Sequence, residues 1–183
     1  MSRWTLVLPL LAGLALSNAA FAVSPTDQQA ADIRAFDAQP AKLSAADAAG
    51  YAELYTVGEV LDVRFEVRDG EADYLVHVLK NGDVITLTID AFVGLNRTPI
   101  SLMQTPAPPL ADERAAAVAL KRSNVVFDEA IAAGERRLGG RTVGARLTLR
   151  GGRPTVEVNA VRDQKLYRTT IDPMFDIDVA ESR

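Results

Sequence analysis

Between Leu61 and Val67 the chain alternates. Leu61, Val63, Phe65 and Val67 are apolar, and Asp62, Arg64, Glu66 and Arg68 between and after them are charged. A period of two is that of a strand with one buried and one wet face. Tyr74, Val76 and Val78 form a second apolar set, alternating with Leu75, His77 and Leu79, and Ile85, Leu87 and Ile89 form a third. Asp69-Gly70 and Asn81-Gly82 separate the three runs, and both dipeptides suit tight hairpins. The pattern predicts an antiparallel three-stranded meander. Upstream, Ser24, Pro25 and Asp27 predict a helix start, with Ile33 and Phe36 on one face and Pro40 as its end. Ser44 and Asp47 approximate a capping box for a second helix, about Ala45 to Tyr55. Its many alanines permit close approach to a sheet.

The same order of patterns returns further along. Shifted by 82 positions, Leu43 to Ala91 falls without a gap on Val125 to Pro173, and ten of the 49 aligned positions are identical. Ordinary composition would give about three. In the second stretch Phe127, Ile131, Gly134 and Leu138 predict a helix face, and Gly139-Gly140 its stop. Val143, Ala145, Leu147 and Leu149, then Val156, Val158 and Ala160, then Tyr167, Thr169 and Ile171, predict three more strands. Asp112-Glu113 and Lys121-Arg122 bracket a helix that takes the place of the one at Ser24. Such a period points to duplication. The expected fold is α+β, with two tandem units, each packing short helices on a three- to four-stranded antiparallel sheet. The expected bounds are residues 23–95 and 110–183, joined by a proline-rich connector over 96–109.

Residues 1–22 read as a secretory signal. Arg3 is the positive start, Leu6 to Leu16 the apolar run, and Ala20-Phe21-Ala22 a small-x-small motif with cleavage expected after Ala22. The apolar run is short for a spanning helix, which needs about 20 residues. The mature chain is therefore expected in the periplasm or outside the cell, with no membrane span. The whole chain has 20 basic and 24 acidic residues, with both signs scattered, which gives no footprint for nucleic acid. With no Cys and one His, most metal-site chemistry has no ligands, and no metal or cofactor is expected.

Several stretches of the second repeat resemble the PepSY family: Val125-Val126-Phe127-Asp128-Glu129-Ala130-Ile131, then Gly139-Gly140-Arg141-Thr142-Val143, then Gly151 to Val158 through Tyr167-Arg168-Thr169-Thr170-Ile171-Asp172. The first repeat carries a weaker version in Leu43 to Ala48 and Val84 to Asp90. Neither repeat has the Ala-Thr-Gly-like turn that the family often places after its Asp. The resemblance implies a non-catalytic exported module that binds, and in some cases restrains, a secreted protease or another periplasmic protein. The alternative is an accessory protein that modulates a membrane sensor or signalling receptor.

The candidate chemistry is thin. His77 has no evident catalytic partner set, so no catalytic residues are assigned. Asp90 and Asp172 end equivalent strands and suit acceptors for backbone N–H groups in the following turn. If Tyr74, Val76 and Val78 point inward, the other sheet face shows Leu75, His77 and Leu79, with Val84 beside them. That face is expected to be apolar and to meet either a protein partner or the other unit, with Arg64 and Arg68 available to clamp acidic groups.

Overall fold

The computed structural model describes residues 21–22, 24–38, 41–92, 100–103, 107–123, 126–174 and 176. The expected leader up to residue 20, and residues 175 and 177–183, lie outside them. The described elements are β1 (Phe21–Ala22), α1 (Asp27–Ala38), α2 (Ala45–Thr56), β2 (Glu59–Arg68), β3 (Glu71–Lys80), β4 (Asp83–Asp90) and β5 (Ile100–Met103). They continue with α3 (Ala111–Ser123), α4 (Phe127–Leu138), β6 (Arg141–Arg150), β7 (Arg153–Arg162) and β8 (Lys165–Ile171). The order helix, helix, strand, strand, strand thus occurs twice.

The meanders form as the alternation predicts. Four two-residue turns join them, at Asp69-Gly70, Asn81-Gly82, Gly151-Gly152 and Asp163-Gln164, all with positive φ. This is the backbone twist that matches paired strands. The α+β arrangement of helices on an antiparallel sheet is present. The expectation of separate sheets is corrected: the described strands make one sheet, ordered β1-β8-β7-β6-β2-β3-β4-β5. Each meander would otherwise leave its first strand as a bare edge, and β2 and β6 cover each other.

This seam is short. Asp62 pairs with Arg146, Val63 with Ala145 and Arg64 with Gly144. Val63 and Ala145 stand 82 positions apart, and the register is symmetric about them under that shift. Each strand also carries a bulge, between Val60 and Asp62 in β2 and between Thr142 and Gly144 in β6. The extra residues, Leu61 and Val143, are again 82 apart. The bulge interrupts the predicted alternation: Val60 lies opposite Val78, and Leu61, the extra residue, is buried as expected.

That face meets α2 and α4. The buried side of α2 is small, with Ala45, Ala48, Ala49 and Ala52. The α4 side is large, with Phe127, Ile131 and Leu138, except at Gly134. A Cβ on Gly134 would stand 2.7 Å from a Val158 methyl, so the helix backbone lies directly on β7. The predicted capping box on α2 is present: Asp47 N–H donates to Ser44 Oγ at 3.0 Å, and Ser44 N–H to Asp47 Oδ2 at 2.9 Å. On α1 the cap is Thr26 rather than Ser24. Gln29 N–H donates to Thr26 Oγ1 at 3.2 Å and Thr26 N–H to Gln29 Oε1 at 3.0 Å.

Helix α1 packs on β2 through Phe36, edge-on to Phe65 at 4.8 Å. Past the seam, the Val67 N–H of β2 donates to Asp32 Oδ1 of α1 at 3.2 Å. The connector is more than a spacer. Its Ile100–Met103 segment is β5, which pairs with β4, and Ala107 bridges Val84. Asp90 Oδ1 accepts the Phe92 N–H at 2.7 Å and Asp172 Oδ1 the Met174 N–H at 3.1 Å, the turn role expected for both.

Candidate functional site

Side chains directly opposite in an antiparallel pair share a face. The register therefore draws two rows across the sheet on the side away from Val63, Val76 and Val158. One reads Thr86, His77, Asp62, Arg146, Glu157, Thr170, and the other Thr88, Leu75, Arg64, Gly144, Asn159, Arg168. Under the 82-residue shift each row maps onto the other in reverse. Six strands thus present a face that is mostly charged and polar.

The charges on it are paired. Arg64 lies 3.6 Å from Glu66, and Arg68 contacts the same carboxylate. Arg146 lies 3.6 Å from Glu113, which α3 brings to the face. Arg168 Nε donates to Asn159 Oδ1 at 2.8 Å and lies 3.2 Å from Glu157. Where the rows cross the seam, a cleft of about 180 Å³ opens beside α1. Gln29 and Asp32 of α1 face Asp62, Arg64, Arg146 and Asn159 across it. Burial raises the Asp62 carboxyl above its ordinary range, while His77, Arg64 and Arg146 act against that rise. His77 Nδ1 is 3.5 Å from Asp62 Oδ2, too far for a firm hydrogen bond, so the contact is chiefly electrostatic. The arrangement can hold a complementary charged surface. Among the described residues, no group of three or more His, Asp or Glu side chains is placed to hold a metal ion.

The structure puts Leu75, His77, Arg64 and Val84 near one another on this face, but not as an apolar patch. Leu75 is only 5% exposed, and Leu79 and Val84 pack partly against the core. The Val84 backbone is held at both ends by Ala107. The apolar contact surface expected at Leu75 and Leu79 is therefore corrected, because the sheet and its neighbours cover those side chains. Arg64 is exposed in the cleft wall, whereas Arg68 lies outside the cleft lining. Gln29, Asp32 and Glu113 belong to the site without having been predicted, brought there by α1 and α3. The seam register, a pairing between distant parts of the chain, sets Arg146 and Glu157 in one row with Asp62.

The large exposed apolar side chains lie elsewhere. Leu54, Tyr55 and Val57, at the end of α2, are 79%, 57% and 89% exposed, and Val126, before α4, is 45% exposed. Val57 and Val126 line one shallow depression with Glu53, Glu59 and Lys121, and Leu54 lines another with Asp128. Burial, with Asp128 and then Glu59 close by, pushes the Glu53 carboxyl up to about 7, against a backbone hydrogen bond from Val60 that lowers it.

No protein-family model matches this chain, and no curated protein does. A crystallised Clostridium difficile 630 protein assigned as a lipoprotein is structurally similar, with a TM-score of 0.43 at 16% identity, over 75% of this chain and 91% of that one. No helix among the described residues is long and apolar enough to cross a membrane.

Proposed function

We propose that this chain is a non-catalytic exported binding protein made of two PepSY-like units, and that its charged sheet face docks a secreted protease or another periplasmic protein. The observation that carries the reading is the seam. Equivalent positions of the repeat face each other at Val63 and Ala145, as expected if a duplicated unit had paired with its own copy. The seam doubles the usable face, since each row runs on from the strands of one unit into those of the other. A broad, half-exposed face of paired charges suits another protein's polar surface, where complementary charges steer approach and set specificity. The cleft is small beside the usual small-molecule pocket of roughly 300–1,000 Å³. Export follows from the leader reading, with cleavage after Ala22. The mature chain would then lack β1, which in the full chain pairs with β8 at Arg168 and Tyr167.

The test is capture. Mature chain beginning at Val23 is immobilised and exposed to periplasmic extract, beside a double variant, Arg64→Glu with Arg146→Glu. A protein retained by the first and lost from the second supports the reading. Equal retention on both removes the sheet face from it. Adding the mature chain to the recovered hydrolase then shows whether docking restrains activity.

A further inference from the structure

The two central helices occupy equivalent places in the repeat, so each position in one has a reference in the other. At the end of α4 stand Arg136, Arg137 and Gly139. Gly139 takes the left-handed cap at φ 61°, and Arg137 donates to Thr170 O at 3.1 Å and binds Asp176 at 2.7 Å. The equivalent residues at the end of α2 are Leu54, Tyr55 and Val57. Val57 adopts the same left-handed conformation, φ 56°, which a β-branched side chain disfavours. No basic residue stands in the last turn of α2 to offset the helix dipole.

The other end of each helix shows the converse. Ser44 caps α2 with a complete box, whereas its equivalent before α4 is Val126, which makes no side-chain cap. The two departures meet, because Val57 and Val126 line the same depression. The surroundings are acidic as well. Glu53, Glu59 and Asp128 gather there, with Lys121 bonded to Glu59 at 2.9 Å as the one base lining it. The position equivalent to Glu59 is Arg141.

Packing and capping give no reason for exposed leucine, tyrosine and valines at this one end. A strained apolar helix end beside a helix start without a side-chain cap breaks local rules, and such departures gather at surfaces kept for function. We propose that the junction of the α2 end with the α4 start is a second docking surface, separate from the sheet face, for a basic protein segment anchored by apolar side chains. Leu54, Tyr55, Val57 and Val126 would take the anchors. The carboxylates of Glu59 and Asp128 would take the flanking Lys or Arg groups. The acidic rim makes an anionic lipid surface a poor match.

The probe is a fluorescein-labelled amphipathic peptide of Leu and Lys at helical spacing, with a Leu and Glu counterpart as control, read by anisotropy against the whole mature chain. Binding should saturate for the basic peptide, weaken at least tenfold for the acidic one, and weaken at least tenfold in the Leu54→Arg/Tyr55→Arg variant. The repair variants Val57→Gly and Val126→Ser place at each site the residue its equivalent carries. They should fold at least as well as the natural chain and bind the basic peptide several-fold more weakly. The Arg64→Glu/Arg146→Glu variant should bind it unchanged, which separates this surface from the proposed sheet-face function. Equal affinity for both peptides, or full binding by the helix-end variants, overturns the proposal. So does a concentration-dependent dimer, or partition onto phosphatidylcholine vesicles, that Leu54→Arg/Tyr55→Arg abolishes, since the patch would then serve a second copy or lipid.

Discussion

Helices α2 and α4 have the same length, lie 82 positions apart and end in the same backbone conformation, yet they reach stability differently. Helix α4 is anchored by large side chains on its buried face and closed by a glycine. Helix α2 is lined with alanine, starts with a full capping box and ends in a strained valine. One buries bulk and needs less from its start; the other relies on its start and leaves its end unfavourable. Equivalent backbones thus show which choices packing requires and which it merely tolerates.

The largest break in this comparison should come from Phe127, which is wholly buried at the start of α4. Phe127→Ala should cost about 3–5 kcal/mol in urea unfolding. Its equivalent in α2 is already Ala45, so the loss would show that only one helix depends on bulk there. Next comes the cap. Ser44→Ala removes the hydroxyl that accepts the Asp47 N–H but keeps the backbone N–H bonded to Asp47; it should cost about 1 kcal/mol, whereas Val126→Ala should change stability far less. Val57→Gly should raise stability by about 1 kcal/mol. Relief of the left-handed strain, roughly 1–2 kcal/mol, outweighs the added chain entropy of glycine, roughly 0.5–1 kcal/mol. A thermal melt reads this shift, and Gly139→Val should move the melt the other way.

Glu53 sharpens the comparison through pH. Its carboxyl is raised from 4.5 to about 7 in the folded chain. Between those values the folded state holds the proton more tightly than the unfolded state does. Stability should therefore fall as pH rises from 4.5 towards 7 and level off above. Glu53 is partly exposed, so solvent screening limits the effect to about 1 kcal/mol or less. Glu53→Gln should flatten that part of the stability–pH curve. The smallest effect is expected at Lys121, an exposed partner of Glu59. Lys121→Ala should shift stability by about 0.5 kcal/mol or less.

Much of this architecture is legible in the sequence. Alternation marks the six meander strands, paired turn residues mark the hairpins, and Ser44 with Asp47 marks a helix start. Each signal is local, and the backbone reads it locally. What escapes is long-range or irregular. A bulge adds one residue without altering composition, so alternation names Leu61 as buried but misses Val60, which is buried opposite Val78 as well. Four residues of β5 sit in a proline-rich stretch whose local preference is for extended coil. The seam depends on three residue pairs joining strands far apart in the chain, and no periodicity reports such a partner. Leu75 looked exposed because strand parity gives the face a side chain is on, not what lies over it. The helix-end patch was within reach: aligning Leu54, Tyr55 and Val57 with Arg136, Arg137 and Gly139 exposes it without coordinates.

At the seam Val63 meets Ala145, 82 positions further along the chain. A strand that pairs with the same position of its own repeat is self-complementary. On the duplication reading, a lone half would therefore be expected to associate with a second lone half, and its folding would depend on concentration. Joining two halves in one chain replaces that encounter with an intramolecular one. It also frees the two sides to diverge, so that one helix end can keep its arginines while the other becomes apolar.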